Sequence, residues 1–199
     1  MTLRDISIAL SPATPEWPGD TRFSCGWTWQ MAAGASVNVS AYTTSPHVGT
    51  HADAPLHVRD GWPAADAMPL APFAGAARVL GVESLAALGE QRVERLLLRT
   101  GCSIAGGSFP EAWPTLPVDL VRALLARGLI LLGVDAPSVD ERDSKTLAVH
   151  HCLFEGGACI LENLDLRDVA DGTYDLIALP VKLAGLDAAP VRAALRPLS

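Results

Sequence analysis

The run Pro117-Val-Asp-Leu-Val-Arg-Ala-Leu-Leu-Ala-Arg-Gly-Leu-Ile-Leu-Leu-Gly-Val134 changes its periodicity halfway. Val118, Val121, Leu124 and Leu125 recur at the three- and four-residue spacing of one helical face, and Gly128 is a residue suited to ending a helix. The spacing predicts a helix over Pro117–Arg127, entered around Thr115–Leu116. Leu129–Val134 then runs unbroken and apolar, as a strand covered on both faces does. A helix that delivers the chain directly into a buried strand favours an α/β domain over an all-β sandwich.

The same succession recurs downstream. Ser144 reads as the N-cap of a helix running towards Phe154 and ending near Gly156-Gly157, after which Ala158–Leu161 is again an apolar strand. Elsewhere, alternation or β-branched runs predict strands at Leu3–Leu10, Arg22–Trp29, Ser36–Thr44, Ala76–Val82, Val93–Arg99, Tyr174–Pro180 and Ala189–Leu195. The expected fold is mixed α/β, with a mixed β-sheet core and few helices. No repeat, low-complexity tract or Gly/Ser linker divides the 199 residues, a length suited to one core, so residues 1–199 are read as a single domain.

Composition removes several function classes. Hydrophobic residues make up 49% of the chain and charged ones 19%, enough burial for a globular protein. The formal charge is −7 and Lys and Arg are scattered, which is no footprint for a phosphate backbone, so nucleic acid is excluded as a partner. The N-terminal Met-Thr-Leu-Arg-Asp-Ile-Ser carries no apolar run of a secretory signal, and no stretch of about 18 apolar residues offers a membrane span. A cytoplasmic protein is expected. Four cysteines at irregular spacing, Cys25, Cys102, Cys152 and Cys159, form no CxxC pair and read as small buried thiols.

The chemistry concentrates in the histidines. There are five, at 47, 51, 57, 150 and 151, and three of them share the segment His47-Val-Gly-Thr-His51-Ala-Asp53-Ala-Pro-Leu-His57. A zinc-binding HExxH helix is ruled out, because the glutamate is missing and Gly49, Pro46 and Pro55 oppose a helix. In extended chain, positions 47, 51, 53 and 57 share one parity and project to one side. A straight strand would spread them over roughly 33 Å, so the segment must bend, and Gly49 and Pro55 are suited to bending it. A curved loop after a strand ending near Thr44 is the expectation.

Imidazole and carboxylate donors without thiolates suit zinc, manganese or cobalt at a catalytic centre rather than a closed cysteine site. His150 or its neighbour His151 supplies a further donor, and Glu162, the first acid after the apolar strand, needs a cationic partner if it is buried there. His47, His51, Asp53, a histidine of the second group and Glu162 exceed one open tetrahedral site. They suffice for two divalent ions if Asp53 and Glu162 bridge. Serine-triad chemistry finds no support, since no Gly-x-Ser-x-Gly is present and Gly107-Ser108-Phe109-Pro110 lacks the strand–turn–helix setting. A metal- or ligand-binding module without catalysis is the alternative from another class, and the added presence of His57 opposes it.

The 47–57 string resembles the HxGTHxDxPxH motif of the cyclase family of metal-dependent amide hydrolases, with all seven specified positions matching. The resemblance extends to Ser11–Asp20, to Ser144-Lys-Thr146 with His150-His151, to Ile160-Leu-Glu162, and to Leu176–Lys182. Within the family the kynurenine formamidases are similar also through Trp17-Pro-Gly-Asp20 and Leu186-Asp-Ala-Ala-Pro-Val-Arg-Ala193. The resemblance implies a fold of the swivelling β/β/α type, hydrolysis of N-formyl-L-kynurenine, two divalent ions (zinc first, manganese or cobalt otherwise) and a homodimer in which a neighbour helps to complete the pocket. It implies His47, His51 and Asp53 as ligands of one metal, His150 rather than His151 as a ligand of the second, and Asp53 and Glu162 as bridges. His57 would be the catalytic proton donor and acceptor, and Trp17 would line the substrate pocket, where an indole can stack on an aryl ring. Other amide or lactam hydrolases of the family share the motif, and pocket residues such as Trp17 and Trp62 are expected to separate them. The strings Leu147–Val149 and Leu153–Cys159 depart from the family's, which bears on pocket shape.

Overall fold

The computed structural model describes residues 2–198. Its strands are β1 (Arg4–Asp5), β2 (Ser24–Trp29), β3 (Val39–Thr43), β4 (His51–Asp53), β5 (Ala74–Gly81), β6 (Arg95–Arg99), β7 (Leu131–Val134), β8 (Cys159–Glu162), β9 (Gly172–Ile177), β10 (Ala188–Pro190) and β11 (Ala194–Pro197). The two α-helices among the described residues are α1 (Val118–Ala126) and α2 (Ala148–Glu155), joined by short 3-10 turns elsewhere.

Nine strands form one mixed sheet in the order β1-β11-β9-β5-β6-β7-β8-β4-β10, while β2 and β3 make a separate hairpin. Strands β5, β6, β7 and β8 are parallel, and α1 and α2 occupy the β6–β7 and β7–β8 connections. The strands flanking this block are antiparallel.

Connectivity forces this sheet to curl. Strands β10 and β11 stand seven strand spacings apart in the order, about 34 Å if the sheet were flat. Yet Pro190 and Ala194 are four residues apart, a reach of at most about 14 Å. The edges are tied across the gap: Ile6 N–H donates to Ala193 O at 2.9 Å, Asp165 N–H to Ile6 O at 2.8 Å and Val191 N–H to Thr50 O at 3.0 Å.

Burial on both faces explains the unbroken apolar strands. Leu97, Leu131 and Leu161 point into the curl with Ile6, Phe73 and Leu176. Their sequence neighbours Leu96, Leu98, Leu132 and Ile160 pack outward with Val121 and Leu124 of α1 and Val149 and Leu153 of α2. Space inside the curl is tight at Gly133, where an added Cβ would meet Leu97 Cδ2 at 2.5 Å and Leu164 Cδ1 at 2.9 Å.

The expected mixed α/β fold with few helices is found, with four local corrections. The second helix starts at Ala148 rather than Ser144. Its first N–H groups, from Val149 and His150, donate to the Asp140 carboxylate at 3.0 Å each, while Ser144 Oγ only receives Leu147 N–H in the preceding turn. Ala189–Leu195 is two strands, because residues 191–193 carry the chain from one sheet edge across to β11. Leu3–Leu10 forms a strand only over Arg4–Asp5. The curved loop predicted after Thr44 contains a three-residue buried strand, β4, paired on both sides.

Candidate active site

The segment 47–57 bends in two places around β4. Gly49 adopts φ +73°, and a Cβ there would lie 2.5 Å from Leu10 Cδ2, so the turn that carries His47 towards β4 requires glycine. Pro55 opens the 3-10 turn that ends on His57. The parity argument therefore holds for His51 and Asp53, on the same face of β4, and the two turns fold His47 and His57 back towards them.

Pairing supplies the rest. In the β4–β8 register His51 stands opposite Glu162, which closes the apolar strand β8 and is buried as its sequence position implied. The first turn of α2 delivers His150 from the outer layer. Asp53 and Glu162 thereby lie between two histidine groups. Asp53 Oδ1 is 3.1 Å from His47 Nδ1 and 3.2 Å from His51 Nε2, while its Oδ2 is 3.2 Å from His150 Nε2. Glu162 repeats the division, with Oε2 3.5 Å from His51 Nε2 and Oε1 3.5 Å from His150 Nε2.

Each of these histidines gives its outer nitrogen to an oxygen acceptor and aims the inner one at the centre. His51 Nδ1 donates to Gly49 O at 2.9 Å, His150 Nδ1 to Asp140 Oδ2 at 2.7 Å and His47 Nε2 to Asp187 Oδ2 at 2.9 Å. That is how ligating imidazoles are fixed in their tautomers. Asp53 Oδ1, wholly buried, has no hydrogen-bond partner among the described residues. An orphaned carboxylate oxygen facing two imidazole nitrogens is a poor arrangement for a protein alone and a good one for a divalent cation.

Electrostatics agree. Burial works against a charged His51, but the Asp53 and Glu162 carboxylates outweigh it and hold its pKa up at about 10. Burial opposes the charge on His150 too, and Asp140, Asp53 and Glu162 raise it to about 10; His47, between Asp187 and Asp53, is raised to about 9. Asp53 is held well below the usual carboxylate range by the surrounding histidines despite its burial. The anionic centre thus collects positive charge, as protons or as metal.

The centre floors a cavity of about 300 Å³ whose walls include Trp17, Phe109, Pro15, Pro137 and Leu147. Trp17 lines this cavity and is held edge-on against Phe109 at 5.3 Å and Trp113 at 5.9 Å. His57 lines the cavity beside His47, ring centroids 4.4 Å apart, with Nδ1 3.3 Å from Asp187 Oδ2. Trp62 is a correction: it is not part of the cavity wall and packs against His151 at 6.0 Å with Arg59 over its ring. His151 lies in a groove between the helices, turned from the centre by its one-residue offset along α2.

Asp140, Asp187, Phe109 and Asn163 join the site without having been singled out in the sequence. A polar Asp140 ten residues before a candidate ligand was the available signal for one of them. Asn163 lines the cavity in a left-handed conformation at φ 55°, and its buried Oδ1 has no partner among the described residues.

Nitrogen and carboxylate donors that converge with an acceptor left unsatisfied have the chemistry of a divalent-metal hydrolase centre. The chain belongs to the cyclase family, whose model matches residues 4–141. It is 45% identical to a kynurenine formamidase of Bacillus cereus over 98% of this chain and 97% of that one. Among solved structures it is similar to a predicted metal-dependent hydrolase from Bacillus stearothermophilus, at TM-score 0.81 and 26% identity, covering 98% of this chain and 97% of that chain. It also shares the fold of isatin hydrolase A from Ralstonia solanacearum, at TM-score 0.79 and 21% identity, covering 98% of this chain and 92% of that chain.

Proposed function

We propose that this protein hydrolyses N-formyl-L-kynurenine to L-kynurenine and formate, a step of tryptophan degradation. The observation that carries the reading is an aryl-sized cavity walled by Trp17 and Phe109 that opens onto the histidine–carboxylate centre, in a chain 45% identical to a kynurenine formamidase.

His47, His51 and Asp53 would hold one divalent ion and His150 a second, with Asp53 and Glu162 shared between them; the two-sided division of both carboxylates supports this. Zinc is the metal proposed, with manganese and cobalt compatible with the same donors. Ions held there would acidify a water towards neutral pKa and polarise the formyl oxygen.

The side chains do the rest. Trp17 and Phe109 take the aryl ring and exclude water from one face of the formamide. Asn163 lines the same cavity beside Glu162. His57, at the cavity edge, takes a proton from the attacking water and delivers it to the aryl nitrogen as the C–N bond breaks, because an amide anion is a poor leaving group.

No helix among the described residues is long and apolar enough to cross a membrane, and a cytoplasmic location is part of the proposal. So is a homodimer. The hairpin β2–β3 stands off the main sheet with Trp27 and Trp29 each 59% exposed and Tyr42 67% exposed, an apolar surface that a second copy would cover.

The test is turnover by the purified metal-replete protein of a panel containing N-formyl-L-kynurenine, other N-formyl aryl amines, isatin and cyclic imides. N-formyl-L-kynurenine is expected to be turned over fastest. An unchanged N-formyl-L-kynurenine sample would sink the proposal, and preference for isatin or an imide would transfer it to a lactam or imide hydrolase.

A further inference from the structure

Asp187 stands immediately before β10, in the Leu186–Ala193 segment for which the mechanism above has no use. Its position is fixed by backbone rather than left to a free loop. Ala54 N–H donates to Asp187 O at 2.9 Å, Ala65 N–H donates to Leu186 O at 2.8 Å, and Ala188 stands opposite Asp53 in the β4–β10 register. The side chain is thereby held over the 54–57 turn.

One oxygen of this carboxylate reaches two histidines. Oδ2 lies 2.9 Å from His47 Nε2 and 3.3 Å from His57 Nδ1. An ionised carboxylate only accepts hydrogen bonds, so both ring nitrogens must donate. A neutral imidazole carries a single N–H, so each donation leaves the opposite nitrogen bare. For His47 the opposite nitrogen is Nδ1, 3.1 Å from Asp53 Oδ1, and it would be bare once a metal ion takes the place of its proton there. For His57 it is Nε2, which has no hydrogen-bond partner among the described residues. Without Asp187 either ring is free to turn its N–H the other way.

We propose that Asp187 is a positioning residue that sets the tautomers of His47 and His57 together, so that the metal-facing nitrogen of one and the proton-accepting nitrogen of the other are both bare before substrate arrives. The inference rests on the roles given to these two histidines above. In the proton cycle, His57 Nε2 takes the proton released as water attacks and gives it to the departing nitrogen. His57 Nδ1–H keeps donating to Asp187 throughout, and the carboxylate stays ionised beside the transient imidazolium. A carboxylate behind a catalytic histidine acts in this way in other hydrolases. Here the same oxygen also holds a ligand of the metal.

The experiment uses the zinc-loaded protein and its Asp187→Ala variant. Nitrogen-15 NMR of the histidine side chains reports the tautomer without substrate, so its result stands even if the substrate assignment fails. His57 is expected as Nδ1–H with Nε2 bare in the native chain, and without that preference in the variant. In steady-state assays kcat is expected to fall at least about 10- to 100-fold, the usual loss when the hydrogen-bond partner of a metal-holding histidine is removed, with KM little changed. Elemental analysis is expected to find metal still bound at saturating supply. A native His57 carrying its proton on Nε2 would overturn the proposal, whether or not the variant folds. So would a folded variant with native kcat, or one whose KM alone rises.

Discussion

The floor and the rim of the cavity use the same residue types in opposite surroundings. On the floor, His51, Asp53, His150 and Glu162 are at most 3% exposed and come from paired strands or a packed helix. At the rim, His57 and Asp187 have side chains 31% and 42% exposed and come from turns. Buried carboxylates cannot use water to solvate their charge, so they must hold cations permanently. In the proposed mechanism His57, which water reaches, exchanges a proton in each turnover while Asp187 stays ionised behind it. On that proposal depth separates charge that is stored from the proton that moves.

The sharpest way to break this comparison is to empty the floor. Asp53→Ala removes the two oxygens that face His47, His51 and His150. Bound metal and activity are both expected to fall to background. The variant is also expected to be less stable, by about 3–5 kcal/mol where the buried charges lose their partner. Metal content by elemental analysis and a denaturant titration check the two parts. A variant that keeps its metal would show that Asp53 is not central to the floor.

A rim substitution should separate what the floor substitution merges. His57→Ala is expected to keep most of the metal and to lose activity by about 10²- to 10⁴-fold, the range for a lost general acid–base. Loss of metal in parallel would move His57 into the ligand set. That alternative has a geometric basis, since a ring nitrogen of His57 lies within 4.8 Å of donor atoms of His47 and Asp53.

A gentler cut falls between floor and core. Asp140 Oδ2 receives His150 Nδ1 at 2.7 Å, and the carboxylate also receives the N–H groups of Val149 and His150. Asp140→Asn keeps the size and weakens the acceptor. Metal affinity is expected to drop about 10- to 100-fold, measured by competition with a chelator. An unchanged affinity would show that α2 alone orients His150.

The two regions also differ in how far they could be read from sequence. His47, His51, Asp53 and His57 lie within eleven residues, and their parity and bend-forming neighbours announce one site. Glu162 was readable because a charge closing an apolar strand needs a partner. Choosing between His150 and His151 was beyond spacing, since adjacent residues on a helix differ only in direction and the direction depends on how α2 packs on the sheet. Asp187 was out of reach for a related reason. It meets His47 across 140 positions, through the curl that brings β10 beside β4, and nothing local marks it. The chain likewise shows two strand-like runs at 22–29 and 36–44, yet only the sheet order reveals that they leave the core, with Trp27, Trp29 and Tyr42 exposed.

The smallest expected effect sharpens the idea that the floor stores cations of either kind. In protein stripped of metal, His47 is raised to about 9 and His51 and His150 to about 10, above the 6.5 of an unfolded histidine. A group whose folded pKa exceeds its unfolded one binds its proton more tightly when folded. Its contribution to stability is complete below about 6.5 and is lost as pH rises through the folded value. The melting temperature of the stripped protein should therefore decline between pH 7 and 10. In metal-loaded protein those protons have been displaced, so this share of the decline should vanish. Other titrating groups are common to both samples, and the difference between the two melting curves isolates the floor. Parallel curves would mean that the buried carboxylates hold no protonated histidines when the metal is gone.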